Sequence, residues 1–77
     1  MISNLQIRAA RALLGWSQTK LAEEADLSVI TIKRLEASDD QARADTVLKV
    51  KEAVERAGVV FQVMPDGLIH GVSLRRP

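Results

Sequence analysis

Residues 17–37, SQTKLAEEADLSVITIKRLEA, hold two short helical patterns joined through Asp26, Leu27 and Ser28. Each opens on a serine, Ser17 or Ser28, whose side-chain oxygen suits it to accept from N–H groups of a first helical turn. So short a connection forces the two helices to cross steeply, so that the second projects outward while the first braces it. Ala22 falls where the helices approach most closely, and a large side chain there would hold them apart.

The rest of the chain reads as elements packed around this pair. A first helix is expected over about Asn4 to Leu14, with Leu5, Ile7, Ala10, Leu13 and Leu14 as its apolar stripe and Gly15 as its left-handed stop. Trp16 before the Ser17 cap and Leu21 after it suit a hydrophobic staple. The second helix ends near Ala25 with Leu21, Ala22 and Ala25 inward, and the third covers about Val29 to Ala37. Residues 38–44 read as a polar loop. A fourth helix starts near Asp45, buries Val47, Val50, Val54 and Ala57, and ends at Gly58. The period then changes: Val59 to Met64 is β-branched and aromatic, Pro65-Asp66-Gly67 signals a turn, and Leu68 to Leu74 suits a second strand. The expected fold is mainly α, four helices with a C-terminal β-hairpin. Residues 1–58 form the helix-turn-helix unit, and 59–77 form the hairpin and tail of the same compact body.

Composition narrows the function classes. A chain of 77 residues buries only about 60% of its unfolded surface, so association with a second copy would help stabilise it. The absence of cysteine excludes disulfides and thiolate metal sites. No apolar run reaches the ~20 residues of a membrane span, and the N-terminus lacks a signal-peptide pattern, so a cytoplasmic location is expected. Eleven basic against ten acidic residues give +1, too even a balance to point to nucleic acid by itself. Residues 1–40 carry five basic and six acidic side chains (−1) and residues 41–77 six and four (+2). Any case for DNA therefore rests on where the charges sit.

On a helical wheel Thr31, Ile32 and Leu35 share the core side of the third helix, leaving Val29, Ile30, Lys33 and Arg34 on the other. Two β-branched apolar residues on an outer face run against helix propensity. Bases explain them: Val29 and Ile30 can pack on thymine methyls, Arg34 can reach guanine O6 and N7, and Lys33 can reach a base edge or a phosphate. Isolated exposed apolar residues are also common without any role. At the start of the second helix, Ser17, Gln18, Thr19 and Lys20 join free N–H groups that suit a phosphate. Lys20 stands against the helix dipole there, which fits a docked anion or a merely solvated lysine.

Residues 7–38 resemble the helix-turn-helix of the xenobiotic-response-element (XRE) family, related to Cro and lambda repressor. The matching segments are Ile7-Arg8-Ala9-Ala10-Arg11, Leu14-Gly15-Trp16-Ser17-Gln18, Leu21-Ala22, Leu27-Ser28 and Thr31-Ile32-Lys33-Arg34-Leu35-Glu36. The resemblance implies a repressor-like domain that reads double-stranded DNA. It implies base contacts from Val29, Ile30 and Arg34, phosphates bordered by Ser28 and Lys33, and a backbone contact from Gln18. It also implies a structural ion pair between Arg11 and Glu36. The chain departs from the family pattern in three places. Asp26 stands where the turn usually has glycine, though aspartate tolerates the left-handed region. Ala37-Ser38-Asp39-Asp40 lacks the usual glycine and sets two acids where phosphate approaches. Val and Ile occupy base-reading positions that are often polar.

Val59, Phe61, Val63, Ile69, Val72 and Leu74 are more apolar than a two-stranded ribbon needs. Either the hairpin covers the helical core, or hairpins of two subunits pair by edge or face to form a homodimer, or both. Arg75 and Arg76 suit either DNA or a solvated tail. Catalysis has little to stand on: there is one histidine, His70, and no cysteine or tyrosine, so no catalytic residue, metal or other cofactor is expected. Glu23, Glu24 and Asp26 read as a solvated face, and no small-molecule ligand is expected. The competing reading is an antitoxin or antirepressor-type module whose partner is a protein, and a third is a DNA-bending recombination factor.

Overall fold

The computed structural model describes residues 2–40, 42–65 and 70–75, with Val63 and His70 described by their main chain alone. Asp66, Gly67, Leu68, Ile69 and Arg76, named above in the turn, strand, dimer surface or tail, lie outside the described residues. Four helices run in order, α1 (Asn4–Leu14), α2 (Gln18–Ala25), α3 (Val29–Ala37) and α4 (Ala44–Arg56), followed by β1 (Val59–Val63) and β2 (His70–Leu74).

Local chemistry sets these boundaries. Ser3 opens α1 with a reciprocal capping box: its hydroxyl accepts from the Gln6 N–H, and the Gln6 side chain accepts from the Ser3 N–H at 2.9 Å. Gly15, at φ 67°, closes α1 in the left-handed region, with the Trp16 N–H returning to the Arg11 carbonyl at 3.0 Å. Asp26 performs the same closure on α2 at φ 56°, and the Leu27 N–H reaches the Ala22 carbonyl at 2.9 Å. The helix-turn-helix connection thus forms without glycine.

The core gathers Ile7 and Ala10 of α1, Leu21, Ala22 and Ala25 of α2, and Ile32 and Leu35 of α3. Val47, Val50, Ala53 and Val54 of α4 and Val59 of β1 complete it. In α4 the inward alanine is Ala53; Ala57, expected inside, is the exposed C-cap.

Helix α1 differs more. Leu5 is 65% and Leu13 43% exposed, whereas Gln6 is buried at 2%. At about 100° per residue, Leu5 stands on the opposite side of α1 from Ile7, while Gln6 lies where the hairpin arrives. The Gln6 amide donates to the Gln62 carbonyl at 3.2 Å and the Gly71 carbonyl at 3.1 Å, bolting the sheet to the helix.

The hairpin pairs antiparallel with Val59 opposite Leu74 and Phe61 opposite Val72. Those four share one face, and that face packs onto α1 and α4. Val59, expected at a dimer surface, is buried in the chain's own core, and Phe61, Val72 and Leu74 are half-buried against it. The hairpin therefore covers the helical core.

Candidate nucleic-acid interface

Helix α2 packs against both α3 and α4, with its Leu21, Ala22 and Ala25 buried. Ser28 caps α3, its hydroxyl accepting from the Thr31 N–H at 3.2 Å and pairing with the Thr31 hydroxyl at 2.9 Å. This spends the Thr31 side chain locally. Ile32, Leu35 and Glu36 face inward, which sends Ile30, Lys33, Arg34 and Ala37 outward. Ile30 is 58% exposed. Val29 is different: it stands one turn before Ile32 and so lies at the border, half-buried against the core rather than fully on the outer face. Neither Lys33 nor Arg34 makes an ion pair with a described residue, so both charges are free for a ligand.

Orientation of α3 is fixed by one acid. Glu36, only 5% exposed, accepts from Arg11 Nε at 2.8 Å and Arg11 Nη2 at 3.0 Å in a two-pronged pair. Its Oε1 also accepts from the Gln18 amide at 3.1 Å. Arg11 donates further to the Trp16 carbonyl at 3.0 Å. Its hydrogen bond to Glu36 holds the Arg11 guanidinium above its ordinary pKa against the opposing effect of burial. Three helices are thereby locked by one buried carboxylate, and Gln18 is held at the rim with one amide hydrogen left to donate.

The α2 N-terminus presents the exposed Ser17, Thr19 and Lys20 beside Gln18. Ser17 caps the helix through the Lys20 N–H at 3.0 Å. The Lys20 ammonium lies 2.9 Å from Glu24 and 6.0 Å from the centre of the Trp16 ring. The Glu24 hydrogen bond raises the Lys20 pKa and lowers that of Glu24. Lys20 is thus a charged group already partnered, unlike Lys33 and Arg34.

Sequence reasoning missed three features. Asp39 is turned toward α1, accepting from the Asn4 N–H at 2.6 Å, while the Asn4 side chain donates to the Glu36 carbonyl. One of the two acids after α3 is thus engaged in the fold. Arg43 and Thr46, at the start of α4, line an open cleft beside Arg34 and Ser38. The only sequence signal for them was a basic residue just before a helix start. The Gln18–Glu36 bond was equally silent, because no spacing rule links residues 18 apart.

With that geometry in place, the helix-turn-helix family model HTH_3 matches residues 7–54, more than half of the chain. The chain belongs to the XRE-type helix-turn-helix family. A search of the curated proteins returns no match. Membership makes it a DNA-binding helix-turn-helix regulator acting on double-stranded DNA. Among the described residues no helix is long and apolar enough to cross a membrane.

Proposed function

We propose that this XRE-family protein binds a pseudo-palindromic operator as a homodimer and represses transcription by covering a promoter. The observation that supports it best is the free outer face of α3, where Ile30, Lys33 and Arg34 stand exposed while Glu36 is consumed inside. Ile30, with Val29 at its margin, packs on thymine methyls, Arg34 takes guanine O6 and N7, and Lys33 takes a base edge or the flanking phosphate. Ser17, Gln18, Thr19 and Lys20 hold the backbone on one flank with Ser28, and Arg43 on the other. Two copies set their reading helices about one DNA turn (~34 Å) apart and double the phosphate contacts, which offsets the small net charge. A regulator of this kind works in the cytoplasm.

Selection from a random DNA library, with the winner titrated at two salt concentrations, tests this. The expected outcome is a two-fold-symmetric motif with spaced half-sites and affinity falling steeply with salt. A well-folded protein that enriches no motif would overturn it and favour a module serving chiefly to bind a protein.

A further inference from the structure

Of the nine residues of α3, four are exposed: Ile30, Lys33, Arg34 and Ala37. None of these side chains can accept a hydrogen bond. Two side chains of the helix could, and both are engaged elsewhere. The Glu36 carboxylate takes Arg11 and Gln18 inside the fold, and the Thr31 hydroxyl is paired with Ser28. The outer face of α3 therefore offers cationic donors and saturated carbon.

In the major groove that inventory is selective. Guanine shows two acceptors, and thymine an acceptor beside a 5-methyl group. Cytosine shows only its N4 amine, and adenine sets an N6 amine beside its acceptor. An amine that faces this helix can be met only by water. The one feature of a pyrimidine that Ile30 can hold is its 5-methyl. Ile30 is 58% exposed, and its branch at Cβ leaves essentially one χ1 rotamer in a helix. The apolar group is thus already in place, and little side-chain freedom is lost on contact. Arg34 stands one turn further, at i+4 and about 6 Å along the axis, between one and two base steps of about 3.4 Å. A methyl under Ile30 and a guanine under Arg34 therefore fall on neighbouring base pairs.

We infer that α3 recognises the 5-methyl group itself, so that 5-methylcytosine serves in place of thymine under Ile30. The ligand is a 5-methylpyrimidine close to a guanine in duplex DNA, and methylation of a cytosine at that step raises affinity. This rests on the base-reading role of α3 proposed above, though not on the dimer, and adds that cytosine methylation tunes binding. It belongs to this chain's Ile30, since the family often places polar side chains at these positions. Burying one methyl changes affinity about fourfold, and two distant half-sites multiply that to about 15-fold.

The test titrates the full chain against its selected duplex by fluorescence anisotropy. Each thymine is replaced in turn, in both half-sites at once, by deoxyuridine, which removes the methyl and keeps every hydrogen-bonding group. One position should lose about 15-fold. With cytosine at that position, 5-methylation should raise affinity by about the same factor. Ile30→Ala, with helical circular dichroism unchanged, should bind the thymine and deoxyuridine duplexes nearly alike. A wild type indifferent to deoxyuridine at every position, a selected half-site without thymine, or an Ile30→Ala protein that discriminates as the wild type does would overturn methyl recognition by Ile30 and leave operator binding standing. Selection of no motif by well-folded protein would overturn the operator reading and this one with it.

Discussion

Glu36 receives hydrogen bonds from Arg11 and Gln18 while almost wholly out of water, and Arg11 remains 25% exposed. Replacing one partner of such a pair leaves the other charge poorly solvated, a loss softened by Arg11's partial access to solvent. Glu36→Gln should therefore destabilise the fold by about 2 kcal/mol, or roughly 10 °C in Tm for a domain this size, measured by thermal denaturation. At the reading face the effects separate by role. Arg34→Ala should weaken specific binding by about 1–3 kcal/mol while sparing nonspecific affinity; unchanged discrimination in competition titrations would refute a base-reading role. Lys20 behaves differently because Glu24 already holds it. Glu24→Gln should free its charge and raise affinity for all sequences by about threefold at low salt, with the salt slope steepened by at most about one. The same pair has a clear pH sense. Glu24's carboxyl sits below its ordinary value, so its small contribution is present above the unfolded-state value and fades as pH falls through the lowered one.

At the level of elements, the caps carried most of the legible information. Ser17, Ser28 and Gly15 mark α2, α3 and the end of α1 through hydrogen bonds made within a few residues, which is why those boundaries can be read from the chain itself. Faces were harder. Leu5 and Leu13 fit a helical period as well as Ile7 and Ala10 do. Their exposure depends on where the hairpin lands, a tertiary fact with no local signature. Val29 drifted to the border of α3 for a similar reason: a wheel assigns an angle, but the width of the buried arc depends on α1 through Glu36. The turn between α2 and α3 offers a prediction at this scale. Asp26 holds φ 56°, where a side chain costs energy that glycine avoids, and its carboxylate sits at the negative end of α2. Asp26→Gly should stabilise the domain by about 0.5–1 kcal/mol after the unfolded-state entropy of glycine is set against that relief. A lowered denaturation midpoint would show instead that the carboxylate is needed there.

For the whole molecule, the helical unit and the hairpin are joined by a residue that the sequence presents as an ordinary polar position. Gln6 accepts from Ser3 and donates to Gln62 and Gly71 while 2% exposed, so it caps the start of α1 and fastens the sheet at once. Its spacing from Ser3 fits a capping box, but nothing announces the sheet contact, because its acceptors there are main-chain oxygens that any residue would offer. The two carbonyls keep their partners across the ladder, so losing the Gln6 amide orphans neither of them, but the Ser3 N–H loses its cap. Gln6→Leu, which preserves volume and removes the polar contacts, should cost about 1 kcal/mol. Gln6→Ala, which also leaves a cavity beneath the sheet, should cost about 2–3 kcal/mol. The loss should be local in both: amide exchange should quicken across β1 and β2 while α2 and α3 keep their protection. DNA contacts made by α3 would then survive within each subunit. If β2 carries the subunit contact, cooperative binding to paired half-sites would fall in step with hairpin protection. Gln6 variants whose hairpin loosens while cooperativity holds would place the contact elsewhere.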